Sequence, residues 1–291
     1  MTLLTEKNNP KTVDIDIADG ENIAKMMNEE DKKIAGAIEK ILPQIGIAID
    51  MVATRLQNGG RMAYFGSGTS GRIGVLDASE MPPTFGVDDD LIQGYISGGE
   101  RAIRYAVENA EDSEEFAMKD LKQFNPQKND VVVAISASGN PQYTLKVLQF
   151  AHEQRVLTIA ITSNPEAKFK PFADIFLCTE LGPEVISGSS RLKSGTAQKM
   201  IVNMLSTGAM IRLGKTYHNY MIDLQIHNKK LHERAVRFVK EICNVDEKIA
   251  EETLDVAGNV KIACVMLRKN CTKIKAEQLL RQNHGILRRV I

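Results

Sequence analysis

The residues best suited to chemistry form a glycine- and hydroxyl-rich segment, residues 66–72, with the sequence GSGTSGR. An apolar strand pattern at 61–65 precedes the segment, and a helical pattern follows it. Glycines let the backbone turn sharply and leave its N–H groups accessible, while the hydroxyls of Ser67, Thr69 and Ser70 add hydrogen-bond donors. The start of the following helix contributes the positive end of a dipole. The segment therefore predicts an anion site, most often one for phosphate.

Two nucleotide-binding motifs resemble this segment, and it fits both of them poorly. Its glycine spacing matches the dinucleotide fingerprint, which also requires an acidic residue at the end of the second strand. Here the second strand pattern, 91–96, ends in the sequence SGG. A Walker A loop needs Lys followed by Ser or Thr, where this chain has Arg72 and Ile73. Both nucleotide hypotheses are therefore disfavoured.

A second strand–loop–helix unit carries Ser136, Ser138 and Asn140 in the sequence SASGNP. It follows a continuous apolar run at 131–135 and precedes a helical pattern. Asn140 suits the N-cap of that helix, and Pro141 suits its first position, which needs no N–H group. A serine-rich turn that only caps its helix is the simpler alternative. Two such units in one sheet favour a phosphate site.

A third hydroxyl-rich segment, residues 187–196, precedes the longest helical pattern of the chain. It contains Ser189 and Ser190, and also Lys193, whose ammonium group could supply the positive charge that hydroxyls lack. A capping loop with solvated basic side chains explains the segment equally well. Both interpretations stay open at the level of sequence.

The elements that must position these loops alternate between strands and helices. Strand patterns fall at residues 62–65, 91–96, 131–136, 156–161 and 175–178. The runs VVVAI and LTIAI are continuously apolar, as expected for strands that are covered on both faces. We therefore predict an α/β fold with a doubly wound parallel sheet flanked by helices.

The remainder of the chain has helical character. Helical patterns cover residues 21–57, with a break at Pro43, and also 196–213, 221–243 and 245–291. Residues 1–20 are polar and irregular, and we expect them to form an arm. We therefore predict one large domain over 1–240, which includes the N-terminal helical arm, and a small all-helical subdomain over 241–291.

Composition excludes several classes of protein. The chain has 37 basic and 37 acidic residues, so it lacks the excess of basic charge typical of proteins that bind nucleic acids or membrane surfaces. Its four cysteines include no C-x-x-C pair, which disfavours a disulfide framework or a zinc site. The N-terminus has no signal-peptide pattern, and polar residues interrupt the most apolar stretch, 200–213. We expect a cytoplasmic protein whose partner is a small molecule.

Three longer motifs resemble one known family. They are LDASEMPPTFG at 76–86, ENAEDS at 108–113 and GSSRLKSGTAQK at 188–199. The two phosphate loops resemble those of the sugar isomerase (SIS) domain, which binds sugar phosphates. The longer motifs are similar to those of N-acetylmuramic acid 6-phosphate etherases, from about residue 15 to the end of the chain. The resemblance implies an SIS-type fold and a homodimer, and it implies no cofactor and no metal.

The resemblance also implies an activity and two catalytic residues. The family cleaves the lactyl ether of N-acetylmuramic acid 6-phosphate, and its two functional glutamates match Glu80 and Glu111. Glu80 ends a helical pattern, where the negative end of the helix dipole favours a protonated carboxyl group that can act as an acid. Glu111 precedes Asp112 and Glu115, which have capping-box spacing, so it lies near a helix start where an ionised base is favoured.

Two alternative functions use the same fold. A sugar-phosphate isomerase would also bind phosphate through Ser136 and Ser138, so the fold does not separate it from an etherase. A non-catalytic sugar-phosphate sensor is the second alternative. A transcriptional sensor usually carries a helix-turn-helix segment, for which residues 1–57 are short and acidic. A sensor resembling the glucokinase regulatory protein would need two sugar domains, and this chain has room for one.

Overall fold

The computed structural model describes residues 6–226 and 228–291, so residues 1–5 of the predicted arm and His227 lie outside the described residues. The strands are β1 (Met62–Gly66), β2 (Ile92–Ile96), β3 (Val131–Ile135), β4 (Leu157–Thr162), β5 (Ile175–Cys178), β6 (Thr216–Tyr217) and β7 (Tyr220–Met221). The helices are α1 (Gly20–Asp31), α2 (Lys33–Glu39), α3 (Leu42–Gln57), α4 (Gly68–Ser79), α5 (Met81–Phe85), α6 (Glu100–Arg104), α7 (Glu114–Phe124), α8 (Gln142–Glu153), α9 (Lys193–Arg212), α10 (Lys229–Cys243), α11 (Glu247–Ala257), α12 (Val260–Lys269) and α13 (Lys273–Gln282). All five predicted strands are present, and each of their ends lies within one residue of the predicted position.

Strands β1 to β5 form one parallel sheet in the order β2-β1-β3-β4-β5. The chain passes from β1 to β2 on one side and then returns to place β3 on the other side of β1. Gly66 at the end of β1 is paired with Ile96 of β2 and with Ile135 of β3. In open α/β sheets, ligands bind outside the carboxyl ends of the strands at such a reversal of strand order. The carboxyl ends of β1 and β3 therefore mark the expected site.

Helices cover both faces of this sheet, which confirms the predicted doubly wound layer. On one face, α7 and α8 share an apolar cluster with side chains of β1 and β3, including Phe65 and Val132. On the other face, the Tyr64 hydroxyl donates a hydrogen bond to Asp77 of α4 at 2.8 Å. All residues of β1, β3 and β4 are buried, which explains their continuously apolar sequences.

Two helical predictions differ from the structure in detail. The predicted helical stretch 21–57 is three helices. The break expected at Pro43 falls just before it, because Pro43 lies in the first turn of α3, where its missing N–H costs no hydrogen bond. The predicted helix 221–243 begins only at Lys229, because Met221 belongs to the hairpin strand β7. Asn228 caps α10 by accepting a hydrogen bond from the Leu231 N–H at 2.9 Å.

The chain divides into two compact units. The first comprises the residues up to Ser79 together with Asp90–Ser206, and the second comprises Glu80–Asp89 together with Thr207–Ile291. The predicted boundary at residue 241 falls inside α10, which shares one apolar core with α11, α12 and α13. Because that core is continuous, the second unit is larger than the predicted helical subdomain.

Helix α5 belongs to the second unit, and its end closely approaches Asp223 of the same unit. Gly86 ends α5 with a φ of +60°, and a Cβ atom there would lie 2.3 Å from the carbonyl oxygen of Asp223. Only glycine fits this position without moving the backbone.

None of the helices in the described ranges is long and apolar enough to cross a membrane.

Candidate active site at the carboxyl ends of the strands

Three serines lie side by side at the carboxyl edge of the sheet. Ser67 follows β1, Ser97 follows β2 and Ser136 follows β3. The residues before them are paired in register, so the three serines occupy neighbouring positions at the point where the strand order reverses. This edge is where an α/β sheet of this kind binds its ligand.

The turn between β1 and α4 is tightly wound. A Cβ atom on Gly66 would lie 2.6 Å from the backbone nitrogen of Gly71, so the residue at 66 must be glycine. Gly68 begins α4 with a φ of +53°, a conformation that also favours glycine. The first N–H groups of a helix have no partner within the helix, and they carry the positive end of its dipole. The predicted strand–turn–helix arrangement is present, and phosphate binding by this turn stays a prediction.

A cavity of about 210 Å³ opens beside this turn. Its lining comes from the β1–α4 turn, from the end of β2 and from the segment 102–111. Two residues that we predicted from the sequence, Ser67 and Glu111, line it together. Ser67 Oγ is buried and has no hydrogen-bond partner among the described residues. The cavity therefore combines a hydroxyl group without a partner and a carboxylate.

Two further lining residues, Ser97 and Arg72, donate hydrogen bonds to backbone carbonyls of the segment that lines this cavity. Neither was predicted from the sequence as a site residue. Ser97 is buried, and its hydroxyl donates to the carbonyl oxygen of Ala110, in the turn that carries Glu111. The Arg72 guanidinium donates to the carbonyl oxygen of Ile103 at 2.9 Å. A hydroxyl directly after an apolar strand was a usable signal for Ser97. In the sequence, Arg72 stands out only as a mismatch to the Walker A motif.

Glu111 lies in a single 3-10 turn, Ala110–Asp112, and is exposed to solvent. The capping residue of the next helix, α7, is Ser113, which accepts a hydrogen bond from the Phe116 N–H at 3.1 Å. The predicted capping box beginning at Asp112 is therefore wrong by one residue. Glu111 still lies just before a helix start, as the sequence predicted.

Glu80 belongs to the second unit, in which it directly precedes α5. Helix α4 ends at Ser79, so Glu80 follows the end of that helix as predicted. Its side chain is exposed, and its carbonyl oxygen accepts a hydrogen bond from the Thr84 N–H at 3.2 Å. This bond belongs to the first turn of α5, so the backbone at Glu80 is fixed by that helix.

The loop after β3 is stabilised from within. The hydroxyl oxygens of Ser136 and Ser138 accept hydrogen bonds from the N–H groups of Gly139 and Asn140, at 3.0 and 3.4 Å. Because both hydroxyls act as acceptors in these bonds, their hydrogens stay available to an anion. The N-cap position of α8 is occupied by Pro141, one residue later than the predicted cap at Asn140.

Lys193 does not have the role that the sequence suggested. Its side chain is completely buried, and its Nζ lies 2.6 Å from the carboxylate of Glu30. The same Nζ donates to the carbonyl oxygens of Leu181 and Pro183, at 3.0 and 2.7 Å. An ammonium group has three N–H donors, and all three are used. Lys193 therefore stabilises the fold and has no donor left for a phosphate.

Breaking this ion pair should strongly destabilise the protein. Lys193→Met leaves Glu30 buried without its main partner, and loss of one partner of a buried pair costs about 3–5 kcal/mol. Urea unfolding at pH 7 measures the change. The double variant Glu30→Leu/Lys193→Met should lose less than either single variant, because it leaves no unpaired buried charge. Equal stability of Lys193→Met and wild type would contradict the assignment.

The same pair predicts a dependence of stability on pH. Burial by itself raises the pKa of Glu30, but hydrogen bonds from Lys193 and Lys33 outweigh it and hold that pKa below its ordinary value of 4.5. A lowered pKa in the folded state stabilises the protein above pH 4.5, and this contribution is lost as the pH falls further. The difference in unfolding free energy between wild type and Glu30→Gln should therefore shrink as the pH is lowered from 5 to about 3.

The third hydroxyl-rich segment, residues 187–196, lies close to the β1–α4 turn at Gly195, in the first turn of α9. A Cβ atom on Gly195 would lie 3.3 Å from Thr69 Cγ2 and 3.6 Å from the carbonyl oxygen of Ser190. Ser189 and Ser190 are partly buried in the turn before α9. Ser190 therefore lies near the β1–α4 turn, and Ser189 directly precedes it in the chain, whereas Lys193 is buried and paired with Glu30.

Ser70 is buried in the first turn of α4, and its hydroxyl donates to Gln198 Oε1 of α9 at 2.9 Å. The sequence predicted a direct phosphate contact for Ser70, but its one hydroxyl hydrogen is used in this bond.

No group of three or more His, Cys, Asp or Glu residues that could hold a metal ion occurs within 6–226 and 228–291.

Family models match three parts of the chain. The glucokinase regulatory protein N-terminal SIS domain matches residues 44–152, the SIS domain matches 101–208, and the C-terminal lid domain of glucokinase regulatory protein matches 218–257. A crystal structure of a candidate phosphosugar isomerase involved in capsule formation, from Bacteroides fragilis, has the same fold. It superposes with a TM-score of 0.51 at 21% identity, over 72% of this chain and 98% of that chain.

Curated relatives match nearly the whole chain. The N-acetylmuramic acid 6-phosphate etherase of Actinobacillus pleuropneumoniae serotype 5b is 45% identical over 99% of this chain and 95% of its own length. The protein of the same name from Caldanaerobacter subterraneus is 47% identical over the same shares, and that from Clostridium botulinum is 46% identical over 98% and 95%. Identity of this extent, on an SIS fold, confirms the resemblance found in the sequence. The chain belongs to the N-acetylmuramic acid 6-phosphate etherase family.

Proposed function

We propose that the protein is a carbon–oxygen lyase that cleaves the D-lactyl ether of N-acetylmuramic acid 6-phosphate. The products are N-acetylglucosamine 6-phosphate and D-lactate. The observation that carries this proposal is the identity of 43–47% to proteins named for that etherase, over nearly the entire chain. The substrate is a cell-wall amino sugar, so we place the reaction in cell-wall amino-sugar recycling, in the cytoplasm.

The first chemical step removes a proton from C2 of the sugar. In the ring-opened substrate C1 is an aldehyde, which makes the adjacent C2 proton acidic. We assign its removal to the Glu111 carboxylate, which lines the cavity beside the β1–α4 turn. The side chain is exposed and lies just before the start of α7, so the substrate can reach its carboxylate.

The second step breaks the bond between C3 and the lactyl oxygen. The electrons left on C2 form a C2–C3 double bond as the oxygen departs, and an acid must protonate that oxygen. We assign this proton to Glu80, which directly follows α4 and begins the turn into α5. Water then adds to the double bond, its hydroxyl to C3 and a proton to C2, so the sugar product gains the elements of water and lactate leaves intact.

The phosphate of the substrate binds, in this proposal, at the loops that follow β1 and β3. Ser67 offers a hydroxyl without a partner, and Ser136 and Ser138 keep their hydroxyl hydrogens available. The starts of α4 and α8 add backbone N–H groups and helix dipoles to those hydroxyl donors. The predicted contacts of Thr69, Asn140, Ser189 and Ser190 remain part of the proposal.

A lactate-release assay tests the function. The purified protein should convert N-acetylmuramic acid 6-phosphate into equal amounts of D-lactate and N-acetylglucosamine 6-phosphate. N-acetylmuramic acid without phosphate is the control, and it should react far more slowly because it lacks the group that the two loops bind. Absence of lactate with interconversion of aldose and ketose phosphates would instead favour the isomerase alternative.

We further propose that the protein is a homodimer, as the family resemblance implies. Most of the apolar side chains of α9 are already buried within the chain, as Val202 and Leu205 illustrate. Exposed apolar side chains occur instead on α3, where Ile47 and Met51 lie one turn apart. Sedimentation at micromolar concentration should give twice the mass of the chain, and a monomer would contradict this expectation.

A further inference from the structure

Two buried side-chain atoms in the described part of the chain have no hydrogen-bond partner, and both belong to residues near the β1–α4 turn. They are Ser67 Oγ and Gln198 Nε2. Buried polar groups in folded proteins are almost always hydrogen-bonded, so each exception requires an explanation. Since both atoms can donate, the simplest explanation is a ligand that presents acceptor oxygens to this turn.

Gln198 is held close to the start of α4. Only 2% of its surface is exposed, and its Oε1 accepts the Ser70 hydroxyl hydrogen at 2.9 Å. Ser70 lies in the first turn of α4, beside the N–H groups that have no partner within the helix. Because the bond to Ser70 fixes Oε1, it also fixes the other arm of the amide, which carries the unpartnered Nε2.

The start of α9 offers a contrast within the same unit. There the carboxylate of Glu184 accepts hydrogen bonds from the N–H groups of Lys193 and Ser194, at 3.0 and 2.9 Å. That helix start therefore already holds an anion from its own chain. In the first turn of α4, the side chain that accepts the Ser70 hydrogen bond is the neutral amide of Gln198.

We propose that Gln198 is a substrate-binding residue whose Nε2 donates a hydrogen bond to a phosphate oxygen bound at the β1–α4 turn. Ser70 then acts as a positioning residue that orients the amide, in place of the direct contact predicted from sequence. This inference rests on the proposed function, because it takes the 6-phosphate of the substrate as the anion. It adds one neutral donor from α9 to the hydroxyls and N–H groups of the two loops.

Gln198→Met tests the proposal, because methionine keeps the length of the side chain and removes the donor. Loss of one hydrogen bond to a charged group should weaken binding about 10- to 100-fold. We expect KM for the etherase reaction to rise by this factor with kcat nearly unchanged, since phosphate binding does not change during the reaction. Calorimetry should give the same loss of affinity for N-acetylglucosamine 6-phosphate and for inorganic phosphate. The matched control is Gln149→Met, a partly buried residue of α8, which should leave both affinities unchanged.

Gln198→Glu separates a phosphate contact from a structural role. It keeps an acceptor for Ser70 but places a negative charge beside the phosphate, so it should bind more weakly than Gln198→Met and should recover affinity as the pH is lowered. A side chain with only a structural role would give no such pH dependence.

A measurement on the wild-type protein covers the case in which the variants fail to fold. Titration with N-acetylglucosamine 6-phosphate should shift the side-chain amide signal of Gln198 in a ¹⁵N NMR spectrum, whereas N-acetylglucosamine should not. Wild-type affinity in folded Gln198→Met, or an unmoved amide signal at saturation, overturns this inference while lactate release still supports the etherase. Failure of the wild-type protein to bind any phosphate compound overturns both.

Discussion

Replacing Glu111 by Gln should abolish exchange of the C2 proton of the substrate with solvent. Glutamine keeps the shape of the side chain but cannot accept a proton at neutral pH, so the carbanion at C2 would not form. A positioned general base contributes about 10²- to 10⁴-fold to a rate, and lactate release should fall by a factor in that range. The measurement is incorporation of deuterium at C2 in heavy water, followed alongside lactate release.

The control for this variant comes from the same acidic segment. Glu115, on the exposed surface of α7, carries the same charge but does not line the cavity with Ser67. Glu115→Gln should exchange and release lactate at wild-type rates. Normal deuterium exchange in a folded Glu111→Gln variant would contradict the assignment of Glu111 as the base.

Much of the sheet and of its loops was predictable from local sequence. Runs such as VVVAI are apolar at every position because both faces of their strands are covered, and this signal does not depend on distant residues. The loops after β1 and β3 were recognisable because glycine and hydroxyl residues follow directly after such a strand. Register then placed Ser67 between Ser97 and Ser136, which required only that neighbouring parallel strands end at the same edge.

The wrong predictions depend on long-range contacts. Lys193 was predicted to be a phosphate ligand because its ion-pair partner could not be recognised locally. That partner, Glu30, lies 163 positions earlier in the chain, and no local sequence pattern indicates such a pair. The domain boundary at 241 failed for a related reason. Side chains of α10 such as Val236 and Val239 pack with later helices, so a break in the sequence pattern near residue 244 does not end the packing unit. No local sequence pattern marks Gln198, because its position depends on the hydrogen bond from Ser70 and on the burial of Nε2.

Replacing Glu80 by Gln should separate the two halves of the reaction. With Glu111 intact, the C2 proton should still exchange with solvent, whereas lactate release should fall about 10²- to 10⁴-fold because no acid protonates the leaving oxygen. Glu111→Gln, by contrast, should lose both. The matched control is Asp89→Asn, an exposed carboxylate of the same compact unit, which should leave both rates unchanged.

The acid role of Glu80 has a sharper consequence for the leaving group. A lactyl oxygen leaves as a strongly basic alkoxide unless it is protonated. A phenol attached at C3 has a much lower pKa than the lactate hydroxyl, so its oxygen can leave with little protonation. Glu80→Gln should therefore approach the wild-type rate with a substrate that carries such a phenol in place of lactate. If the variant stays as slow with the phenol ether as with the lactyl ether, Glu80 does not protonate the leaving group. It would then act on an earlier step, such as formation of the open-chain sugar.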